Sequence, residues 1–187
     1  IVKKMTKAKT EIKSELLTLP IFCIRQNIIF PGIKKEVEIG REISKQAVDS
    51  AVSDYDGRII ILCQKKATAK ENIAVEDIYH FGVLAKVKVE NKFSDGTYRV
   101  KINSYARVKT TNIHRLNKQK ILIGDLQVIQ TKVTESVAKE VKKQISYQCK
   151  KFNQKSPERN YQIPEEFWDD SIPTPAVSEL VDRLATL

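Results

Sequence analysis

The sequence predicts an α+β protein in which a small mixed β-barrel with one packed helix is followed by an incomplete α-helical bundle. Short β-branched runs separated by turn residues fill the first two thirds of the chain, and the apolar spacing becomes helical after Thr131. Hydrophobic residues make up 41% and charged residues 30%, an ordinary globular balance. The predicted parts are a basic N-terminal extension (1–15), a β-rich domain (16–131) and the start of a bundle (132–187) with helices at about 132–154 and 174–187.

The first strands lie in residues 16–39, where Pro20 and the Pro31-Gly32 pair separate short β-branched runs. Ser44 is then placed to cap a helix whose apolar residues recur at helical spacing. Asp56-Gly57 follows that helix and predicts its end. The continuous apolar run over 58–63 predicts a central strand buried on both faces.

A β-hairpin is the clearest local prediction. Apolar and charged residues alternate from Val83 to Glu90, and the turn sequence over 94–97 leads into a second alternating strand that begins at Tyr98. Further strands are predicted at 106–111 and 121–131. Many short strands with one helix favour a compact mixed or half-open barrel.

Two helices are predicted after the strands. Between Val133 and Phe152 apolar residues recur every three or four positions, which predicts a helix of about six turns. Thr174 as cap and Pro175 at the first helical position begin the second helix. Its apolar stripe reaches Leu187, so we expect the sequence to stop inside a bundle.

The aromatic pair before the last helix allows two interpretations. Phe167 and Trp168 either fill a junction between helices or provide an exposed anchor for a client protein, and burial is the commoner fate of large aromatics. Together with three leucines they form a predicted partner or bundle contact. The full set is Phe167, Trp168, Leu180, Leu184 and Leu187.

The sequence predicts no catalytic residue, metal site or cofactor for this chain. Its six glycines are too far apart to build a phosphate-binding loop, and His80 and His114 lack neighbours at metal-ligand spacing. The three cysteines are isolated in apolar patterns, which fits a reducing cytoplasm. No apolar run approaches the roughly 18 residues of a membrane span, so no membrane contact is expected.

Because the net charge is +10, nucleic-acid binding by the basic surface of the barrel is an alternative function. Four basic side chains share one face of the predicted hairpin, and more lie between Lys139 and Lys151. The excess is nevertheless spread over most of the chain, and few aromatics are interleaved for base stacking. The four hairpin residues are Lys86, Lys88, Arg99 and Lys101.

Several segments, in order, resemble the N-terminal domain of the Lon family of ATP-dependent proteases. The strongest is LPIFCIRQNIIFPG at 19–32, in which a Leu-Pro-apolar strand leads through an Arg and an apolar pair to a Phe-Pro-Gly turn. The order continues over residues 38–42, 59–66, 77–85, 95–97 and 107–108.

The resemblance implies a PUA-like barrel followed by a helical bundle, in a bacterial, cytoplasmic protein-quality-control machine. In that family this region selects unfolded or damaged proteins and helps a hexamer assemble. ATP, Mg and the serine–lysine peptidase then belong to domains beyond Leu187. A stand-alone or ligase-associated relative of the same domain is a third alternative.

A receptor for unfolded segments needs a shallow apolar groove or an open sheet edge. Turn position and exposed polar character predict that a rim contributes to substrate binding. It comprises Phe30, Pro31 and Ile33, with Arg41 and Glu42 close to the start of the first helix. Weak sites repeated in a homo-oligomer would add by avidity.

Overall fold

The fold is given by a computed structural model that describes residues 10–25, 28–66, 72–116, 121–131, 133–155, 162–164, 167 and 177–186. The described residues fall into two compact units, a strand-rich unit within 12–130 and a helical unit after residue 130. The elements are β1 (Thr10–Ile24), β2 (Lys34–Ile39), α1 (Glu42–Asp54), β3 (Arg58–Gln64), β4 (Ile78–Lys92), β5 (Tyr98–Arg115), β6 (Leu122–Thr131), α2 (Glu135–Lys155) and α3 (Val177–Leu184).

The strands form one mixed sheet in the order β2-β5-β4-β3-β1-β6, and an additional pairing of β5 with β6 makes it a barrel-like ring. β1 runs parallel to β3, whereas the β2–β5, β3–β4, β4–β5 and β5–β6 pairs are antiparallel. The predicted α+β class with a mixed β-barrel is therefore confirmed, although the ring is not a clean barrel. β2 is the exception to closure, because among the described strands it pairs only with β5.

β3 is buried on both faces, as its continuous apolar run predicts. Ile59 and Ile61 pack in a core with Ala47 and Val48 of α1, whereas Ile60 and Leu62 pack in a second core with Leu19, Ile21 and Leu122 of β1 and β6. Because alternate side chains of β3 enter the two cores, this strand packs against both α1 and the neighbouring strands of the ring.

The first helix begins earlier than the sequence suggests. α1 starts at Glu42 with Arg41 at the N-cap, and no side chain caps it. Ser44 is buried in the first turn, where its N–H donates to Arg41 O at 3.0 Å, so the capping role predicted for Ser44 is wrong. The predicted end is confirmed, since Asp56 and Gly57 have φ of 53° and 74° and Gly57 N donates to Ala51 O.

Two strands are longer than predicted. Pro20 does not separate two strands but lies buried inside β1. The separate strand predicted at 106–111 is part of β5, which runs unbroken to Arg115. A register shift between Thr111 and His114 interrupts the pairing of β5 with β6 there, with Asn112 at φ 48°. Asn adopts this conformation at lower cost than most residues, so the strand bends rather than ends.

The helical unit has a small apolar cluster of Cys149, Phe167 and Leu180. The side-chain amide of Asn153 bonds both backbone groups of Ile163, donating to its O at 3.0 Å and accepting from its N at 2.9 Å. α2 begins at Glu135, three residues after the predicted start. The predicted cap at Thr174 and Pro175 lies outside the described residues. None of the helices in the described part of the chain is both long and apolar enough to cross a membrane.

Candidate substrate-binding groove

The open edge of β2 is the feature of the strand-rich unit that most resembles a peptide-binding site. β2 pairs with β5 along one side, in a register that joins Val37 to Val100 and Glu38 to Arg99. Its other side meets no strand among the described residues. An edge of this kind carries backbone donors and acceptors that can pair with an added chain.

Neighbouring hydrogen bonds identify which backbone groups face the open edge. Ser104 N donates to Ile33 O at 3.0 Å, and Phe93 N donates to Thr97 O at 2.8 Å. In an antiparallel ladder the bonded pairs alternate. The Ser104–Ile33 bond shows that even-numbered residues of β5 face β2, and the Phe93–Thr97 bond shows that odd-numbered ones face β4. Even-numbered residues of β5 therefore bond to Lys35, Val37 and Ile39 of β2. The backbone groups that face outward are those of Lys34, Glu36 and Glu38.

A cavity of about 440 Å³ lies between this strand and the end of β1. Its size falls within the range of about 300–1,000 Å³ that is usual for ligand sites. Apolar and charged groups both line it, with Val37 and Ile39 on one side and Phe22 and Ile24 on the other. The complete lining is Phe22, Cys23, Ile24, Arg25, Val37, Glu38, Ile39, Gly40, Arg41 and Ser44, and we call this cavity together with the open edge of β2 the edge groove.

Arg41 forms one wall of the edge groove and is held there by its own hydrogen bonds. Its guanidinium donates to Cys23 O at 2.5 Å and to Gln64 Oε1 at 3.0 Å. These bonds connect the start of α1 to the ends of β1 and β3. Next to it, the exposed Glu42 forms an ion pair with Lys45.

The turn before β2 is anchored in a similar way at the opposite end of the strand. The Ser104 hydroxyl lies 2.5 Å from Phe30 O and accepts a hydrogen bond from Ile33 N at 3.1 Å. Phe30, Pro31 and Ile33 are half-buried, and Ile33 packs against the core beside α1.

The five predicted substrate-contacting residues therefore do not converge on one spot. Phe30, Pro31 and Ile33 lie at one end of β2, and Arg41 and Glu42 lie at the other. β2, with its six residues, lies between the two groups and spans about 20 Å as an extended strand. What joins the two groups is the open edge itself.

The apolar lining of the edge groove was not predicted from the sequence. Phe22 and Ile24 read as ordinary core positions of a strand, and burial of Phe22 and Ile39 agrees with that. One local signal was present, because β2 is short and carries four charges in six residues, which is typical of edge strands. The arrangement of β1 beside β2 depends on pairings that no local pattern reveals.

Thiol chemistry is not available in the edge groove. Burial raises the pKa of Cys23 to about 12, and nearby Arg41 and Arg115 only partly oppose that shift. The thiol therefore stays protonated at neutral pH.

His80 and His114 each contact a backbone carbonyl, Thr110 O at 3.2 Å and Asn112 O at 2.7 Å. Within the described part of the chain no group of His, Cys, Asp and Glu is arranged to hold a metal ion.

The basic hairpin face is largely charge-compensated. Each of its four predicted phosphate contacts lies within 4.0 Å of a carboxylate, and the most separated pair is Lys101–Glu36 at 3.9 Å. Surface pairs of this kind are weak, but they leave little uncompensated positive charge for a polyanion. The other three pairs are Lys86–Asp56, Lys88–Glu90 and Arg99–Glu38.

The second predicted contact set is partly internal to the helical unit. Phe167 and Leu180 are buried against Cys149, and Leu184 packs at the margin of that cluster. Arg183 lies over the Phe167 ring, 5.8 Å from its centroid. Trp168 and Leu187 lie outside the described residues.

A model of the ATP-dependent protease La (LON) substrate-binding domain matches residues 18–187. The Lon protease of Finegoldia magna is 37% identical over 91 residues, which cover 49% of this chain and 12% of that protein. The Lon protease of Desulforamulus reducens is 34% identical over 98 residues, 52% of this chain and 12% of the relative. The chain thus spans about an eighth of these relatives' length.

Two solved structures share the fold. The N-terminal domain of a Mycobacterium avium complex Lon protease superposes with a TM-score of 0.56 at 13% identity, covering 90% of this chain and 95% of that one. A Lon N-terminal domain protein from Xanthomonas campestris gives 0.50 at 9% identity, covering 91% and 98%. These structures show the shared fold, and the family match over residues 18–187 shows that the chain belongs to the family of Lon substrate-binding domains.

Proposed function

We propose that this chain is the non-catalytic substrate-recognition and assembly region of an ATP-dependent Lon protease. It binds unfolded or damaged proteins for degradation by ATPase and serine–lysine peptidase domains elsewhere in the whole protein. ATP and Mg would be bound by those domains. We also propose a cytoplasmic location and a homo-oligomer, hexameric in the whole protein.

The edge groove is the observation that supports this function. An unfolded client differs from a folded protein in its exposed apolar segments and its unpaired backbone. The edge groove offers a partner for both, because apolar side chains of β1 and β2 line a cavity beside an open strand edge. If each groove binds a client weakly, copies repeated around an oligomer would provide avidity.

The test is fluorescence anisotropy of labelled lactalbumin that has been reduced and carbamidomethylated so that it stays unfolded. We expect binding that persists as salt is raised and that native lactalbumin or an RNA oligomer does not displace. Binding to RNA alone, lost steeply with salt, would instead support the nucleic-acid-binding alternative. The ion-paired hairpin lysines argue against that outcome.

A pair of matched substitutions locates the client site. Val37→Ser removes an apolar group from the edge groove, whereas Val52→Ser makes the same change at an exposed position of α1 that does not line it. Losing one buried valine contact should weaken client binding by roughly five- to tenfold. Equal affinity of the two variants would show that the client binds elsewhere. Replacing Phe30, Pro31, Ile33, Arg41 and Glu42 together tests, in the same assay, whether the two ends of β2 also contact the client.

A further inference from the structure

We propose that an extended client segment binds by adding as a strand to the outer edge of β2, with alternate apolar side chains entering the cavity beside β1. This inference rests on the proposed function and specifies the form of the ligand. The partner is an extended peptide of alternating apolar and polar residues, recognised through its backbone and one of its faces.

The backbone of β2 offers the necessary hydrogen bonds at three places. Lys34, Glu36 and Glu38 direct their N–H and C=O groups away from β5, as the ladder alternation requires. Two ion pairs also direct side chains of β2 away from its outer edge. The Glu36 and Glu38 carboxylates lie near Lys101 and Arg99 of the neighbouring strand rather than across the edge.

The cavity lies where the side chains of an added strand would go. Val37 and Ile39 point to the core beside α1, and Phe22 and Ile24 belong to the same apolar region. In a sheet, side chains directly across from one another are about 5 Å apart. A client strand on this edge would therefore place every second side chain next to Val37 and Ile39, inside the cavity.

A second copy of the chain fits this edge less well than a client does. Two β2 strands paired about a two-fold axis at Glu36 would place their Glu36 carboxylates opposite each other, which is unfavourable. Strand alternation places Lys35 on the same face as Val37 and Ile39, so the second copy would also place the charged Lys35 side chain across from Val37 at the edge groove.

The experiment compares proline with alanine at one position. Glu36→Pro and Glu36→Ala both remove the carboxylate near Lys101, but only proline removes the outward N–H, and it removes no bond to β5. The probe is a fluorescein-labelled peptide of alternating valine and serine, about as long as β2. We expect the proline variant to bind it at least about fivefold more weakly than the alanine variant, with equal melting temperatures.

Two N-methylated forms of the peptide keep the test independent of the variants' folding. One carries methyl groups on the even-numbered amides and the other on the odd-numbered amides. Strand addition uses one set only, so one form should lose binding to the wild-type chain while the other keeps it. If both forms and both variants bind equally, strand addition is wrong even where unfolded lactalbumin still binds. If neither the peptide nor lactalbumin binds the wild-type chain, the proposed function fails as well.

Discussion

At the scale of single residues, the edge groove is shaped by side chains that form hydrogen bonds with backbone groups far away in the sequence. Arg41 connects to Cys23 O, and Ser104 holds the Phe30–Ile33 turn. Both are polar groups that bond to strand ends or turns, where regular ladder bonds are missing. Each stabilises an irregular segment that the sheet alone would leave unpaired.

Replacing Arg41 by alanine tests this scaffold role. The change leaves the amide of Gln64, which is only 4% exposed, without the guanidinium at 3.0 Å. We expect the free energy of unfolding to fall by about 1–3 kcal/mol, measured by urea denaturation. Arg25→Ala is the matched control, since that exposed arginine lines the same cavity, and it should change stability by less than about 0.5 kcal/mol. Equal effects would show that Arg41 does not support the fold.

The sequence identified Arg41 only as a predicted substrate contact, and its structural role was not predicted. Its bonds connect residues 18 and 23 positions away, and no local pattern reveals such contacts. The separation of Phe30 from Arg41 was hidden for the same reason, because an extended β2 places them at opposite ends. By contrast, Asp56-Gly57 was predictable, since a positive φ after a helix is a local requirement that favours glycine.

At the scale of elements, β3 and β4 approach each other so closely that one position requires glycine. A Cβ added to Gly82 would lie 2.1 Å from Ile61 O and 2.7 Å from Leu62 Cδ2. Gly82 pairs directly with Leu62 in the ladder. Because the nearest obstacle is backbone, no side-chain rotation relieves it.

We therefore expect Gly82→Ala to destabilise the strand-rich unit by more than about 2 kcal/mol. Gly40→Ala is the comparison, because its Cβ would meet only Thr97 Cγ2 at 3.6 Å, an ordinary contact, and should cost little. Thermal melting followed by circular dichroism measures both. A melting temperature of Gly82→Ala equal to that of Gly40→Ala would mean that β3 and β4 separate without cost.

Element types were largely predictable, whereas their edges and partners were not. The hairpin turn at Asp95 is fixed by local chemistry, since its carboxylate accepts bonds from Thr97 N and Oγ1 at 2.9 and 2.7 Å. The continuation of β5 past residue 111 depends instead on β6 replacing β2 and β4 as its neighbour. Long-range pairing of that kind decides where a strand ends, and it also decides that β2 is left at the edge.

At the scale of the whole molecule, the described residues of the two units differ in how much apolar surface they bury. The strand-rich unit has two cores on opposite faces of β3. The described core of the helical unit centres on Cys149, Phe167 and Leu180. Val133 and Val137, at the start of the α2 stripe, are 38% and 43% exposed. The lower burial among the described residues after 130 leads us to expect that the helical unit opens at a lower free energy.

Native-state hydrogen exchange read by mass spectrometry tests this difference. We expect the amides of α2 to exchange at lower opening free energies than those of β3 and β4. Leu180→Ala should speed exchange in α2 and α3 further, because deleting a leucine that is 1% exposed typically costs about 2–5 kcal/mol, and should leave β3 unchanged. Equal opening free energies in α2 and β3, lowered together by Leu180→Ala, would instead identify a single cooperative unit. In that case the proposed client binding by the strand-rich unit would depend on the integrity of the helices.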